Sequence, residues 1–398
     1  MQALKGLKVL DISRVLAGPN CTQLLADFGA EVWKIEAPWG DESRGWRKAG
    51  FAVVNRGKKS IVVNFADPRG QEIVKKLAVK ADIAVENFKV DNLARFGIDF
   101  PSLMKLNERL IACSVTGFGQ TGPYNAGLGY DMVLQAMSGL MSVSGDPDRP
   151  PARVGIALYD VMLGLNATIG ILMALNDRHV SGKGQYIDVS LFDVSLASLL
   201  SVATSYLNEG IVTSRQGSIH PTHAPVEPID ASDGSILVCC GTDVQFERLC
   251  NAIGKPELAT DPLYATNAAR MVNRAGLAEI LENKMKSRTR AEWQKEFLAH
   301  RVPAGPINDV VSALNDPHAE ARKVSWSITG QDGHPLKVVG NALQHMSRTP
   351  PVVTATPPRL GQHTEEVLRG VIGMSDADIQ TLARDGVIGL DKQAAAAE

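Results

Sequence analysis

Few residues of this 398-residue chain stand where spacing alone dictates chemistry. Asp160 follows the loop Arg153-Val-Gly-Ile-Ala157 and heads a long apolar stretch, residues 161–175. On spacing, that is the place of a helix N-cap. Basic residues Arg14, Lys34, Lys58, Lys59 and Arg95 fall at the ends of apolar runs, where a Lys or Arg is either solvated rim or an anion ligand. The turn Arg14-Val-Leu-Ala-Gly-Pro19 follows the first apolar run but contains no GxGxxG, which disfavours a dinucleotide-dependent dehydrogenase. The chain also lacks a GxxxxGK[ST] loop, a GxSxG elbow and an HExxH pair. His220 and His223 have no carboxylate or thiol cluster spaced to complete a metal site. The five cysteines form no CxxC pair and read as reduced, mostly buried thiols.

The elements that must position these residues begin with a strand over 7–13 (LKVLDIS), a turn at Ala17-Gly18-Pro19 and a helix over 20–28. Further strands are expected at 31–36 (EVWKIE), 60–65 (SIVVNF), 83–88 (IAVENF) and 110–115 (LIACSV), with Asp67-Pro68 opening a helix between two of them. Strands alternating with helices imply an α/β fold with a doubly wound, mainly parallel sheet. A glycine-rich loop, Gly117-Phe-Gly-Gln-Thr-Gly-Pro123, precedes an apolar helix over 130–144. The length favours two domains. We expect a large domain built from both chain ends (1–205 and 324–398), a linker over 206–232 and an inserted smaller α+β domain over 233–323. The 41 Lys plus Arg nearly balance 43 Asp plus Glu, so no field exists to hold nucleic acid or an anionic membrane. The N-terminal apolar run is too short for a signal peptide, and no segment is expected to span a membrane; a cytoplasmic location is expected.

Taken in order, the segments LKVLDISRVLAGP, LLADFGAEVWKIEAPWGDESR, NRGKKSI, DIAVENFKVDNLARFGID, GYDMVLQAMSG, GIALYDVMLGLNATIGILMAL, SGKGQYIDVSLFD and PPRLGQHTEEVL resemble the family III CoA-transferases. The resemblance implies that Asp160 is a nucleophile. A carboxylate with an ordinary pKa of ~3.9 is ionised at neutral pH and attacks a thioester without a general base. An acyl-aspartyl anhydride and then an aspartyl-CoA thioester would follow, with oxyanion stabilisation expected from backbone N–H groups where the Asp160 helix begins. The resemblance further implies that Arg14, Val15, Leu16, Ala17, Lys58, Asn87, Phe88 and Arg95 line the CoA site, with Phe88 stacking on adenine. Ala37 stands where formyl-CoA transferase has a basic residue. No cofactor and no metal are implied, coenzyme A being a substrate, and an interlocked homodimer is expected.

Segments around Gly217-Ser-Ile-His-Pro221, residues 302–308 (VPAGPIN) and Leu360-Gly-Gln-His363 look most like transferases for small dicarboxylic acids such as glutarate, mesaconate or citramalate, with succinyl-CoA as donor. Arg44 or Arg47 would then meet the distal carboxylate, and Tyr130 and Gln135 would line the acid site. One alternative is a 2-methylacyl-CoA racemase, which needs a histidine where this chain has Tyr130. Another is a non-catalytic acyl-CoA-binding protein in which Asp160 merely caps its helix.

Overall fold

The computed structural model describes residues 2–46, 49–351 and 356–391. They form two compact units. The larger takes the chain up to Leu140, Val154–Glu209 and the chain from His318 onward; the smaller takes Met141–Arg153 and Gly210–Pro317.

The larger unit is an α/β structure around a seven-stranded sheet. Six strands are parallel: β1 (Lys8–Asp11), β2 (Glu31–Glu36), β3 (Lys59–Val63), β4 (Ile83–Glu86), β5 (Ile111–Thr116) and β6 (Tyr186–Ser190). A short strand near the C-terminus, Ile388–Gly389, adds antiparallel to β3, so both chain ends build one sheet. The helices that matter below are α1 (Ala17–Asp27), α2 (Pro68–Lys80), α3 (Phe100–Leu106), α4 (Asp131–Met137), α5 (Leu158–Ser181), α6 (Leu191–Ser198) and α7 (Leu200–Glu209).

Alternation along the strands separates two cores. Val9, Val32, Ile83, Val85, Ile111 and Cys113 face α1 and α5, where Cys21, Leu25, Leu163, Ala167 and Ile171 complete a packed layer. Leu10, Trp33, Ile61, Ala84 and Ala112 face the other way, onto Ile73 and Leu77 of α2, Leu103 of α3, and Leu368 and Ile379 near the C-terminus. Burial on both faces explains the continuous apolar runs of the strand sequences. From β1 the chain proceeds outward to β2 and β3, then returns to place β4 on the other side of β1. The order therefore reverses between β1 and β4, and the loops leaving these two strands flank a crevice of the kind that binds ligands in open α/β sheets.

Several sequence expectations need correction. Helix α1 starts at Ala17, so Gly18 and Pro19 belong to its first turn, where the missing proline N–H has no intrahelical acceptor to lose. The helix expected over 130–144 breaks at Gly139 (φ +96°) into α4 and a short turn of helix. The linker expected over 206–232 is partly ordered: α7 runs to Glu209, and Val226–Ala231 is a strand of the smaller unit, paired with Gly234–Cys239. Its alternating burial was hidden because an acidic residue, Glu227, takes one of the buried positions and Pro228 interrupts the run at an outward one. Ala304–Pro306, which reads as loop, completes that three-stranded antiparallel sheet. The smaller unit also includes Met141–Arg153 and ends at Pro317, not at 323. Phe246, Leu249, Leu277, Trp293 and Phe297 form its core. Residues Ser325–Thr329 and Pro335–Val339 pair only with each other and do not join the large sheet.

Helix α5 is long and apolar enough to cross a membrane by length and composition, contrary to expectation. One of its faces is built into the α1-side core, and its last turn is tied to the sheet by Arg178, which donates to the Asp82 carboxylate (3.0 Å) and to the carbonyls of Asp82 and Arg109.

Candidate active site

Asp160 is the third residue of α5, not its N-cap. The N-cap position holds Ala157, whose side chain cannot accept a hydrogen bond. The cap comes from outside: Asp131, in the first turn of α4, accepts from the backbone N–H of Tyr159 (2.6 Å) and Asp160 (3.3 Å) through Oδ2. Asp131 is buried, and its Oδ1 accepts from Gln135 Nε2 (2.6 Å). Gln135 also donates to the Ile156 carbonyl and accepts from Val154 N–H, fastening the 154–157 loop to α4. Gln135 is thus a fully buried latch and lines no substrate site, because every polar atom of its side chain is already engaged.

The carboxylate oxygens of Asp160 accept no hydrogen bond among the described residues. Burial, and then the neighbouring Asp131 charge, push its pKa up to about 6. A partly buried carboxylate with no protein donor on its oxygens retains its nucleophilicity, since no such donor must be displaced before attack. Two of the backbone N–H groups expected to stabilise an oxyanion at the start of α5 are already engaged. The Tyr159 and Asp160 N–H groups serve Asp131, whereas α1 begins without a side-chain cap. The N–H groups of Leu16, Ala17 and Gly18 have no acceptor among the described residues, and Leu16 and Ala17 line the same cleft of about 290 Å³ as Asp160. Gly164, one turn beyond Asp160, allows this approach: a Cβ there would lie 2.9 Å from the Ala17 carbonyl oxygen and 2.6 Å from Asn20 Nδ2.

The loop before α1 is held in an unusual backbone. Val15 has φ +69°, a left-handed conformation that a β-branched residue avoids. Its N–H is held by both Asp41 carboxylate oxygens at 3.3 Å. Asn87 brackets Arg14 from across the crevice, accepting from its N–H (2.8 Å) and donating to its carbonyl (2.7 Å). Glu86 in turn accepts from Phe88 N–H (2.6 Å), and burial pushes the Glu86 carboxyl up to about 7. Asp41 is anchored by a fully buried ion pair with Lys34 (2.8 Å), which also donates to the Ser13 carbonyl.

The expected CoA residues divide. Arg14, Val15, Leu16, Ala17, Asn87 and Phe88 all line the Asp160 cleft. Arg14 and Phe88 also line an adjoining cavity of about 260 Å³, which holds Arg95, Phe96, Trp39 and Ala37. The Arg14 guanidinium lies 4.7 Å over the Phe88 ring and pairs with Glu42 (2.8 Å), so one face of Phe88 is already covered. Arg95 stacks over Phe96 and reaches only the second cavity. Lys58 is not a CoA ligand. It is buried, and its ammonium donates to Asp11 (2.9 Å), the Pro19 carbonyl (3.0 Å), Thr22 (2.7 Å) and Asn55 (3.0 Å). Burial lowers the Lys58 pKa to about 8. Burial raises the Asp11 carboxyl, but Lys58, Lys34, Ser13 and Thr22 outweigh it and hold Asp11 at about 2.

Of the expected acid-binding residues, Tyr130 lines the cleft and is 66% exposed. Arg44 does not line it. Its guanidinium is taken by Glu36 (2.6 and 2.7 Å) and the Pro358 carbonyl, and it lies 3.8 Å over the Phe51 ring, beside a different cavity. Arg47 lies outside the described residues. Asp131, Asp41 and Lys89 were missed as site residues; the paired acids of Trp39-Gly-Asp-Glu42 and the Tyr130-Asp131 step were the available signals. No histidine is among the described residues that line the cleft, which leaves carbon–hydrogen deprotonation without an imidazole base.

A nucleophile beside uncapped N–H groups, next to a cavity lined by arginines and aromatic rings, suits acyl transfer from a nucleotide-bearing thioester. Comparison with known proteins agrees. The chain is 38% identical to the succinate–glutarate CoA-transferase of Agrobacterium fabrum, over 96% of each chain. It is also 38% identical to the succinyl-CoA–D-citramalate CoA-transferase of Chloroflexus aurantiacus, covering 97% of this chain and 98% of that one. A CaiB/BaiF family protein from Brucella suis superposes with a TM-score of 0.84 at 38% identity, covering 93% of this chain and 99% of the other. The profile of CoA-transferase family III matches residues 4–364, and this chain belongs to that family.

Proposed function

We propose that this enzyme moves CoA from succinyl-CoA to a small dicarboxylic acid through Asp160, and that it works as a homodimer. The observation that carries the reading is the free Asp160 carboxylate, which lines one cleft with the uncapped start of α1, beside a second cavity lined by Arg14, Arg95, Phe88 and Phe96. Asp160 attacks the thioester carbonyl, and the Leu16 and Ala17 N–H groups meet the developing oxyanion. Collapse expels CoA thiolate and leaves a mixed anhydride. The thiolate then attacks the aspartyl carbonyl, releasing succinate and forming an aspartyl-CoA thioester. The acceptor carboxylate attacks that thioester; the thiolate leaves again, adds to the acyl carbonyl of the new anhydride, and frees both the product thioester and Asp160. Thioester energy is conserved at every step.

The substrate class rests on the glutarate and citramalate transferases named above. The dimer is supported by an apolar stripe on α5 opposite its packed face: Val161, Leu165, Ile169, Leu172 and Met173 are each at least 41% exposed.

Incubation with succinyl-CoA, acid quench and peptide mass spectrometry tests the mechanism. The expected result is a coenzyme or succinyl adduct on the peptide that contains Asp160, lost in Asp160→Ala together with transfer. Full turnover by Asp160→Ala would overturn it.

A further inference from the structure

Coenzyme A reaches from the reacting thioester to an adenine base, and the two cavities divide that length. Asp160 fixes the acyl end in the cleft of about 290 Å³. Arg14 and Phe88 line both spaces, so the adjoining cavity of about 260 Å³ takes the far end. Its lining suits a base and phosphates: two guanidinium groups, Arg14 and Arg95, and four rings, Trp39, Phe65, Phe88 and Phe96.

The four rings are not equivalent. Phe65, Phe88 and Phe96 pack against the core of the larger unit. Arg14 lies over Phe88, and Arg95 lies 4.5 Å over Phe96. Trp39 belongs to none of the cores, and among the described residues no ring or cation stacks on it. It is 79% exposed, although an indole is the largest apolar face of the four.

The backbone beneath Trp39 is fixed. Strand β2 ends at Glu36, whose carboxylate accepts from Asp41 N–H (3.1 Å). Between these two residues, Gly40 N–H donates to the Ala37 carbonyl (2.8 Å), closing a turn with Pro38 in its second place and Trp39 in its third. Gly40 has φ +85°, and a Cβ there would come 2.9 Å from Arg44 Cδ, so the turn rests against the Arg44–Glu36 pair. A ring carried on a stiff turn binds with little loss of backbone freedom.

We infer that Trp39, rather than Phe88, is the main stacking face for the adenine of coenzyme A. The inference rests on the reaction proposed above and names the residue that holds the nucleotide end of its donor.

The test compares kcat/KM for succinyl-CoA and for succinyl-pantetheine, which keeps the thioester and lacks the nucleotide, in the full-length protein and in Trp39→Ala, Trp39→Phe and Phe88→Ala. Base stacking predicts that the ratio of the first donor to the second falls about 10-fold in Trp39→Ala and much less in Trp39→Phe. CoA should also quench the fluorescence of the unaltered protein more than that of Trp39→Phe. A ratio unchanged in Trp39→Ala, even if both donors slow together, would overturn the inference, and a fall confined to Phe88→Ala would return the base to Phe88. A Trp39→Ala protein that sediments at half the mass of the unaltered one would overturn it too, since a second copy would then cover the ring. Failure of the transferase reading shows separately, as absence of the Asp160 adduct from the unaltered protein.

Discussion

Asp160 ionises against its surroundings, and the consequences are measurable. Its folded pKa, raised to about 6 from an ordinary 3.8, means that the fold favours the protonated form. Stability is therefore lost as pH rises through the unfolded value, and the loss is complete above the folded one. The displacement amounts to at most about 3 kcal/mol, which partial solvent access reduces to roughly 2 kcal/mol. Asp160→Asn, which mimics the protonated acid, should leave urea stability unchanged near pH 3.5 and raise it by roughly 2 kcal/mol at pH 8. Equal stability of the two proteins at pH 8 would refute this. Because attack requires the carboxylate, kcat/KM for the donor should climb with pH through about 6 and then level. Asp131→Asn removes the second cause of the shift while burial remains, so the acid limb should move to lower pH. An unmoved limb would show that Asp131 does not tune Asp160. The position of Asp160 at the head of an apolar helix was legible from spacing, and its role from the order of family motifs. Asp131 was not, because it caps a helix that starts 27 residues later, and only folding brings the two together.

At the scale of elements, the loop from β1 to α1 is the piece on which the site depends. The strands themselves were readable, since continuous apolar runs bounded by turn residues have few other uses in an alternating βα order. The fate of the lysines between them was not readable. Lys58 precedes a strand, as an anion-binding residue would, yet it turns inward and joins Asp11, Thr22 and Asn55 beneath α1. No periodicity distinguishes a lysine that reaches a phosphate from one that neutralises a buried aspartate. The two roles separate experimentally. Lys58→Met leaves Asp11 buried without its cation and should cost ~3–5 kcal/mol in urea unfolding at pH 7. A phosphate ligand would instead show a raised KM for acyl-CoA at unchanged stability. The same network explains how Val15 is kept at φ +69°: Lys34 fixes Asp41, and Asp41 takes the Val15 N–H. Strain of order 1–3 kcal/mol is thereby held beside the reacting groups, in a loop that leads into the uncapped start of α1, where Leu16 and Ala17 line the cleft.

For the molecule as a whole, the decisive element is α5, because it is apolar on both sides. A helix that is hydrophobic all round belongs in an interior. Tyr159, Leu163, Ala167, Ile171 and Ala174 satisfy this along one face, where they are at most 1% exposed. Val161, Leu165, Ile169, Leu172 and Met173 repeat at helical spacing on the opposite face and stay open in the single chain. Leu200 and Leu207 of α7 add further uncovered apolar surface, at 73% and 79% exposure. At ~25 cal/mol per Å² of apolar area, covering such surface is a strong drive for association. The length and apolarity of α5 also fit a membrane span, but a spanning helix could not at the same time supply its inner face to the sheet core and tie Arg178 to Asp82. A second copy of the chain is the simpler cover. Ile169→Glu combined with Met173→Glu places two charges in the middle of the stripe without touching the buried face. In sedimentation equilibrium the unaltered protein should run at twice the chain mass and the double variant at the chain mass, with the far-ultraviolet circular dichroism of the two superimposable. A native protein that sediments at the single-chain mass at micromolar concentration would leave the stripe without this explanation.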